Sequence, residues 1–157
     1  MKLIPLTQGK FAQVDDEDYE HLMQWKWHAY KSKRNMYAGR SVKNVKVSMH
    51  RYLLNLKDFN DVADHKNNDG LDNQRCNLRV ATRSQNGANR RSHLNSSSKY
   101  LGVSFNKDRK KWKSEIKKKP AVYFLGWFEN EIDAAKAYNI KAFELFGDFA
   151  NLNKLNN

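Results

Sequence analysis

Asp64-His65-Lys66-Asn67-Asn68-Asp69-Gly70-Leu71-Asp72-Asn73-Gln74-Arg75-Cys76-Asn77-Leu78-Arg79-Val80-Ala81-Thr82-Arg83-Ser84-Gln85-Asn86 is the stretch that decides how this chain is read. Residues 61 to 91 are poor in large apolar groups and dense in Asp, Asn, His and Arg, a composition that ordinarily marks loop or disorder. The order of the side chains argues against that. Asp64 and Asn86 are hard oxygen donors of the kind that hold Mg²⁺ or Mn²⁺. His65 has an intrinsic pKa near working pH and can serve as a base. Asn77, just ahead of a short strand Leu78-Arg79-Val80, can tie down the intervening loop through side-chain to backbone hydrogen bonds. Thr82 or Ser84 can cap a helix from about Arg83 to Arg91, which sets Asn86 and Arg90 four apart on one face, a metal ligand beside a phosphate-binding cation. A base, a divalent cation and something to hold both are what phosphodiester hydrolysis requires.

The whole string from Asp64 to Asn86 resembles the HNH nuclease family, in the branch found in phages whose last motif position is Asn instead of His. By that match His65, Asn77 and Asn86 are the three motif positions. The resemblance implies a ββα-metal fold, a hairpin followed by a helix. It puts the general base on His65, the metal ligands on Asp64 and Asn86, and the structural loop clamp on Asn77. Residues 1–57 also resemble the portion ahead of this motif in phage proteins, including Leu6-Thr7-Gln8-Gly9-Lys10. Where variants with three His ligands carry a further His, this chain has Arg90, which implies more water on the metal and a weaker, Mg²⁺-like site. An isolated Asp-His pair would mean little; the specificity lies in the combination, in order and at these spacings.

Working outward, residues 1 to 57 alternate short apolar runs with polar turns. Ala12-Gln13-Val14 leads into an acidic turn, Asp15 to Asp18, and Tyr19 to Trp27 supplies the apolar positions of a short helix. Tyr37-Ala38 and Val42 to Val47 read as strands, and His50 to Leu54 as a short helix. His50 reads as a packed structural residue. His21, His28 and His93 lack oxygen-donor neighbours at ligand spacing and read as surface or packing groups. Cys76 reads as a small buried side chain, and Trp25 and Trp27 as core.

On the other side, Ser92 to Ser98 has linker composition. The expected division is 1–91 with the nuclease-like motif at about 61–91, a linker at 92–98, and a module at 99–157. That module reads as three strands, Tyr100 to Asn106, Lys111 to Lys117 and Ala121 to Phe128, then a helix capped by Asn130 and stopped at Gly147. Strand two alternates, with Trp112, Ser114 and Ile116 on one face and Lys111, Lys113, Glu115 and Lys117 on the other. Tyr100-Leu101-Gly102-Val103, Trp112, Glu115-Ile116, Leu125-Gly126-Trp127-Phe128, Ala134 to Tyr138 and Phe146-Gly147 resemble the plant APETALA2 or ethylene-response-factor DNA-binding domain. In that family the sheet enters the major groove. The resemblance therefore implies DNA contacts from Ser104, Asn106, Lys111, Lys113, Glu115, Lys117 and Phe124. Its guanine-reading arginines are replaced here by Leu101, Ser104, Asn106 and Val122, so loose specificity is expected.

The expected fold class is α+β: a small β-rich N-terminal region with the ββα-metal motif, then a three-stranded antiparallel sheet packed on one helix. The 157 residues carry a net charge of +12, which favours a polyanionic partner. One cysteine excludes an internal disulfide and a Cys-rich zinc site. No apolar run reaches membrane-spanning length, and the start does not read as a signal peptide. The expectation is a phage-encoded endonuclease using Mg²⁺ or Mn²⁺ on double-stranded DNA in the cytoplasm of a bacterial host, a monomer or weak dimer without membrane attachment. The alternatives are a DNA-binding regulator built on an inactive HNH fold and an RNA-binding protein.

Overall fold

The computed structural model describes residues 1–32, 35–58, 60–89 and 96–155. The chain is mixed α+β, with small antiparallel sheets and four α-helices among the described residues. It divides into two compact units, Met1–Asn86 and Gly87–Asn157. Residues 92–95 of the expected linker lie outside the described residues.

In the first unit β1 (Lys2–Pro5) pairs with β2 (Phe11–Val14), and α1 (Asp16–Leu22) follows. The acidic Asp16-Glu17-Asp18, expected as a turn, is the first turn of α1, where carboxylates complement the helix dipole. The expected helix Tyr19 to Trp27 ends early because Trp27 Nε1 donates to the Leu22 carbonyl at 2.8 Å, satisfying an acceptor at the helix end. Next comes a sheet in the order β3-β4-β5, built from His28–Ser32, Asn35–Val42 and Val45–Ser48. Val42 to Val47 is thus not one strand. Lys43 and Asn44 both take positive φ, 47° and 64°, the two-residue turn whose twist matches a hairpin. Then follow α2 (Met49–Leu53), the hairpin of β6 (Val62–His65) and β7 (Leu78–Ala81), and the start of α3 (Arg83–Ala88), whose last two residues belong to the second unit. The core, Ile4, Ala12, Val14, Leu22, Trp27, Ala38 and Met49, draws on β1, β2, α1, β4 and α2.

In the second unit β8 (Val103–Asn106), β9 (Lys111–Lys118) and β10 (Ala121–Phe128) form a sheet in the order β10-β9-β8. It packs on α4 (Glu131–Phe146). Ala134, Ala135 and Ala142 are fully or nearly fully buried, which lets the helix backbone come close enough for Ser114 Oγ to donate to the Ala134 carbonyl at 2.8 Å. Asn130 caps α4 by accepting from the Asp133 amide at 2.8 Å, and Gly147 ends it at φ 53°. Asn153 then clamps the start of the unit to its end, accepting from Leu101 N at 2.6 Å and donating to Leu101 O at 3.1 Å.

Candidate active site

The hairpin β6–β7 pairs Asp64 with Arg79 and His65 with Leu78. The loop between the strands has almost no apolar content, so short polar side chains replace a core. Asn77 Oδ1 accepts from Asn67 N at 3.0 Å, while its Nδ2 donates to Asn67 Oδ1 at 3.0 Å and to the Asp72 carbonyl at 2.8 Å. Asn67 and Asp69 each accept from the amide two residues on, at 2.9 and 3.0 Å, the local bonding that Asx side chains favour. The loop is docked on β2 by Gln13 N to Leu71 O and Asn73 N to Gln13 O, both 2.8 Å. Arg75 anchors it to α1 through a two-point contact with Asp18 at 2.7 and 2.8 Å. Gly70 is buried against β4: a Cβ there would stand 2.4 Å from the Met36 carbonyl and 2.5 Å from the Tyr37 ring.

Thr82 and Gln85 cap α3 reciprocally, with Gln85 N donating to Thr82 Oγ1 at 3.2 Å and Thr82 N to Gln85 Oε1 at 2.8 Å. That sets Asn86 on the second turn. Asp64, His65 and Asn86 line one cavity of about 220 Å³, with Tyr30, Tyr37, His50 and Asn68 among the other lining residues. Asp64 is buried, and its Oδ2 accepts from Arg79 Nε at 2.8 Å and Nη2 at 2.7 Å. His65 is buried with Nε2 3.5 Å from Asn73 Oδ1. Asn73 is fully buried and its Nδ2 donates to the Leu71 carbonyl at 3.1 Å, so the amide oxygen is the atom turned to the imidazole. Burial pushes the His65 pKa below its ordinary value, against the Asn73 hydrogen bond and the charges of Asp64, Asp69 and Asp72. Arg90 lies outside the described residues.

His50 is buried at the β5–α2 junction, as a packed residue would be. It belongs to α2, yet its ring meets the His65 ring edge-to-face at 5.0 Å and the Tyr37 ring at 5.5 Å, inside the same cavity. Met49-His50-Arg51 carries no ligand spacing that could have announced this. Asn73 was missed for the same reason: a lone buried Asn looks like any other loop Asn. Cys76, expected buried, is exposed.

In the second unit the face of the sheet away from α4 carries Lys113, Glu115 and Lys117, paired across the strands with Trp127, Phe124 and Val122. Ser104 stands opposite Lys113, and Asn106 opposite Lys111. Phe124 is 57% exposed. Glu115 lies 2.7 Å from Lys113 and 3.7 Å from Lys117, and these ammonium groups hold its carboxyl below the usual range, Lys113 foremost. Asn106 Oδ1 accepts from Arg109 N at 2.8 Å, which commits it to the β8–β9 turn. Trp127, outside the expected contact set, packs against Phe124 at 5.7 Å and beneath the Arg109 guanidinium at 5.1 Å.

No family model matches the chain, and no solved structure matches it. It is similar to an uncharacterized HNH endonuclease of Acanthamoeba polyphaga mimivirus, with 30% identity over 158 residues that take in 98% of this chain and 80% of that protein. That likeness runs through both units and includes the stretch from Asp64 to Asn86. With the His65, Asn77 and Asn86 positions placed on a hairpin, its loop and the helix after it, the chain belongs to the HNH endonuclease family.

Proposed function

We propose that the chain is a divalent-metal-dependent DNA endonuclease whose hairpin, loop and α3 form a ββα-metal site. The observation that carries this is the convergence of Asp64, His65 and Asn86 on one cavity from β6 and α3. The donor set suits a hard cation: one carboxylate and one amide oxygen. Among the described residues no three His, Cys, Asp or Glu side chains group to hold a metal. A set with few protein oxygens would suit a cation such as Mg²⁺, which usually keeps several waters. Asp64 Oδ2 accepts from Arg79, and a carboxylate can accept from a guanidinium and bind a cation at the same time. Asp64 and Asn86 would hold the cation, which when bound supplies Lewis-acid stabilisation of the charge growing on the phosphate.

The protein's own groups do the rest. In the tautomer that donates Nε2–H to Asn73, the lone pair of His65 is on Nδ1. That nitrogen takes a proton from water as the water oxygen bonds to phosphorus and the P–O bond to the leaving oxygen breaks. The 3.5 Å separation from Asn73 is long for a hydrogen bond, as catalytic bonds often are before substrate is present. Asn77 keeps the loop, and so Asn73, in place.

The sheet face of the second unit docks double-stranded DNA, in keeping with its resemblance to the APETALA2 domain, through Lys113, Lys117 and the Phe124–Trp127 platform. Its lysines meet phosphates, which confers affinity with little sequence information. Supercoiled plasmid tests the reading: we expect nicking or linearisation with Mg²⁺ or Mn²⁺ and none with EDTA. A second reading, a DNA-binding regulator with an inert site, is favoured by the Arg79–Asp64 pair, which already neutralises the carboxylate. Plasmid left intact at every metal concentration would establish that reading in place of ours.

A further inference from the structure

His50 is nine-tenths buried on α2, outside the HNH string, and lines the cavity that holds Asp64, His65 and Asn86. Its Nδ1 is closed off from solvent and has no hydrogen-bond partner among the described residues. Buried polar atoms without partners are few in folded proteins and each asks for a reason. An orphaned lone pair is tolerated better than an orphaned N–H, so the ring proton sits on Nε2. The edge that carries Nε2 is then the one through which this imidazole can meet a ligand. Burial, with His65 and Arg51 nearby, pushes the His50 pKa down to about 3, so the ring stays neutral and does not compete with His65 for the proton of water.

We propose that His50 is a further catalytic residue, whose Nε2–H donates a hydrogen bond to a non-bridging oxygen of the scissile phosphate. The ring lies beside the base, edge-to-face at 5.0 Å between centroids and lining the same cavity. A fixed neutral donor there meets the charge that builds on the phosphate oxygens as the new P–O bond forms, and no proton changes hands at His50. Such donors act mainly on the transition state, so the effect falls on the rate of cutting rather than on affinity for DNA.

This inference rests on the proposed nuclease activity, and the experiment separates the two. The substrate is a synthetic duplex built on a position at which the protein cuts plasmid DNA, carrying a phosphorothioate of either stereochemistry at that linkage. In the unsubstituted protein we expect one diastereomer to be cut slowly whether Mg²⁺ or Mn²⁺ is supplied, because sulfur accepts a hydrogen bond poorly. In His50→Phe the single-turnover rate on normal DNA should fall about a hundredfold, the usual scale for loss of one such donor. That diastereomer effect should vanish, while DNA affinity in Ca²⁺ and the Mg²⁺ needed for half-maximal rate stay put. His50→Gln, which restores an N–H near the Nε2 position, should recover the rate to within about tenfold and keep the diastereomer effect. Should His50→Phe not fold, the Gln protein still decides by keeping or losing that effect. Cutting by His50→Phe as fast as by the parent overturns the proposal. So does an equal loss in both variants with the effect retained, which would make the ring a packing element. A raised Mg²⁺ requirement also overturns it, by making His50 a metal ligand. If the parent does not cut plasmid at all, the nuclease reading itself fails and His50 with it.

Discussion

At the scale of single residues, the environment of the two site imidazoles controls stability as well as chemistry. His50 is neutral in the fold with a pKa near 3, against 6.5 for the free side chain. Its folded pKa is depressed, so the unfolded chain binds the extra proton. Stability is therefore complete above about pH 6.5 and is lost as pH falls toward 3, by roughly 1.4 kcal/mol per pH unit for one proton. His65, lowered in the same direction, adds to the slope. Urea melts between pH 7 and pH 4.5 should show this, and His50→Gln should flatten the dependence by about one proton; an unchanged slope would mean His50 is charged in the fold. Asn73 is the other buried group with a defined task. Asn73→Ala removes the amide oxygen that faces His65 Nε2, which costs about 1–3 kcal/mol and loosens the base. We expect slower cutting at unchanged DNA affinity, read from single-turnover rates beside gel-shift titrations. Weaker DNA binding with an unchanged rate would remove Asn73 from the base's support.

Elements with caps or strict alternation could be read from the chain alone. Asn130 and Gly147 delimit α4 because each end has one chemical requirement, an amide acceptor at one and a positive φ at the other. The alternation of β9 was visible because Ser114 and Ile116 are buried while the lysines are not. By contrast the β4–β5 turn at Lys43-Asn44 contains no glycine to announce its positive φ values, and β3 offers only Ala29 as a fully apolar mark of its inner face. The site divides along the same line. Asp64, His65, Asn77 and Asn86 fall within one local string, whereas His50, Tyr30 and Tyr37 reach the cavity only when the β3-β4-β5 sheet and α2 fold against the hairpin. Gly70 is the point of that approach. Gly70→Ala would drive a methyl group into the Met36 carbonyl and the Tyr37 ring, with backbone on one side and little room to move. We expect a loss of about 1–3 kcal/mol, the range for overpacking, and a clear drop in cutting. A variant with parental melting and activity would show that the loop does not pack there.

For the whole molecule, the proposal is that one unit cuts and the other supplies affinity for DNA. The Glu115 contacts with Lys113 and Lys117 sharpen what to expect from the sheet. Glu115→Gln frees both lysines and should tighten binding uniformly on related and unrelated DNA; a change in sequence preference would instead make Glu115 a base reader. Lys113→Ala with Lys117→Ala should make the salt dependence of binding shallower by up to about two log–log units, from a slope of roughly −0.9 per phosphate contact. An unaltered slope would take this face away from the DNA backbone. Asp64, His65 and Asn86 are proposed as a metal-dependent cutting centre in which His65 activates water. Single-turnover cutting by His65→Ala beside the parent protein, on DNA that both bind equally in Ca²⁺, tests it most directly. We expect no measurable cutting by the variant at matched DNA occupancy; a variant that cuts within about tenfold of the parent, short of the 10²–10⁴-fold usual for a general base, would take the base away from His65.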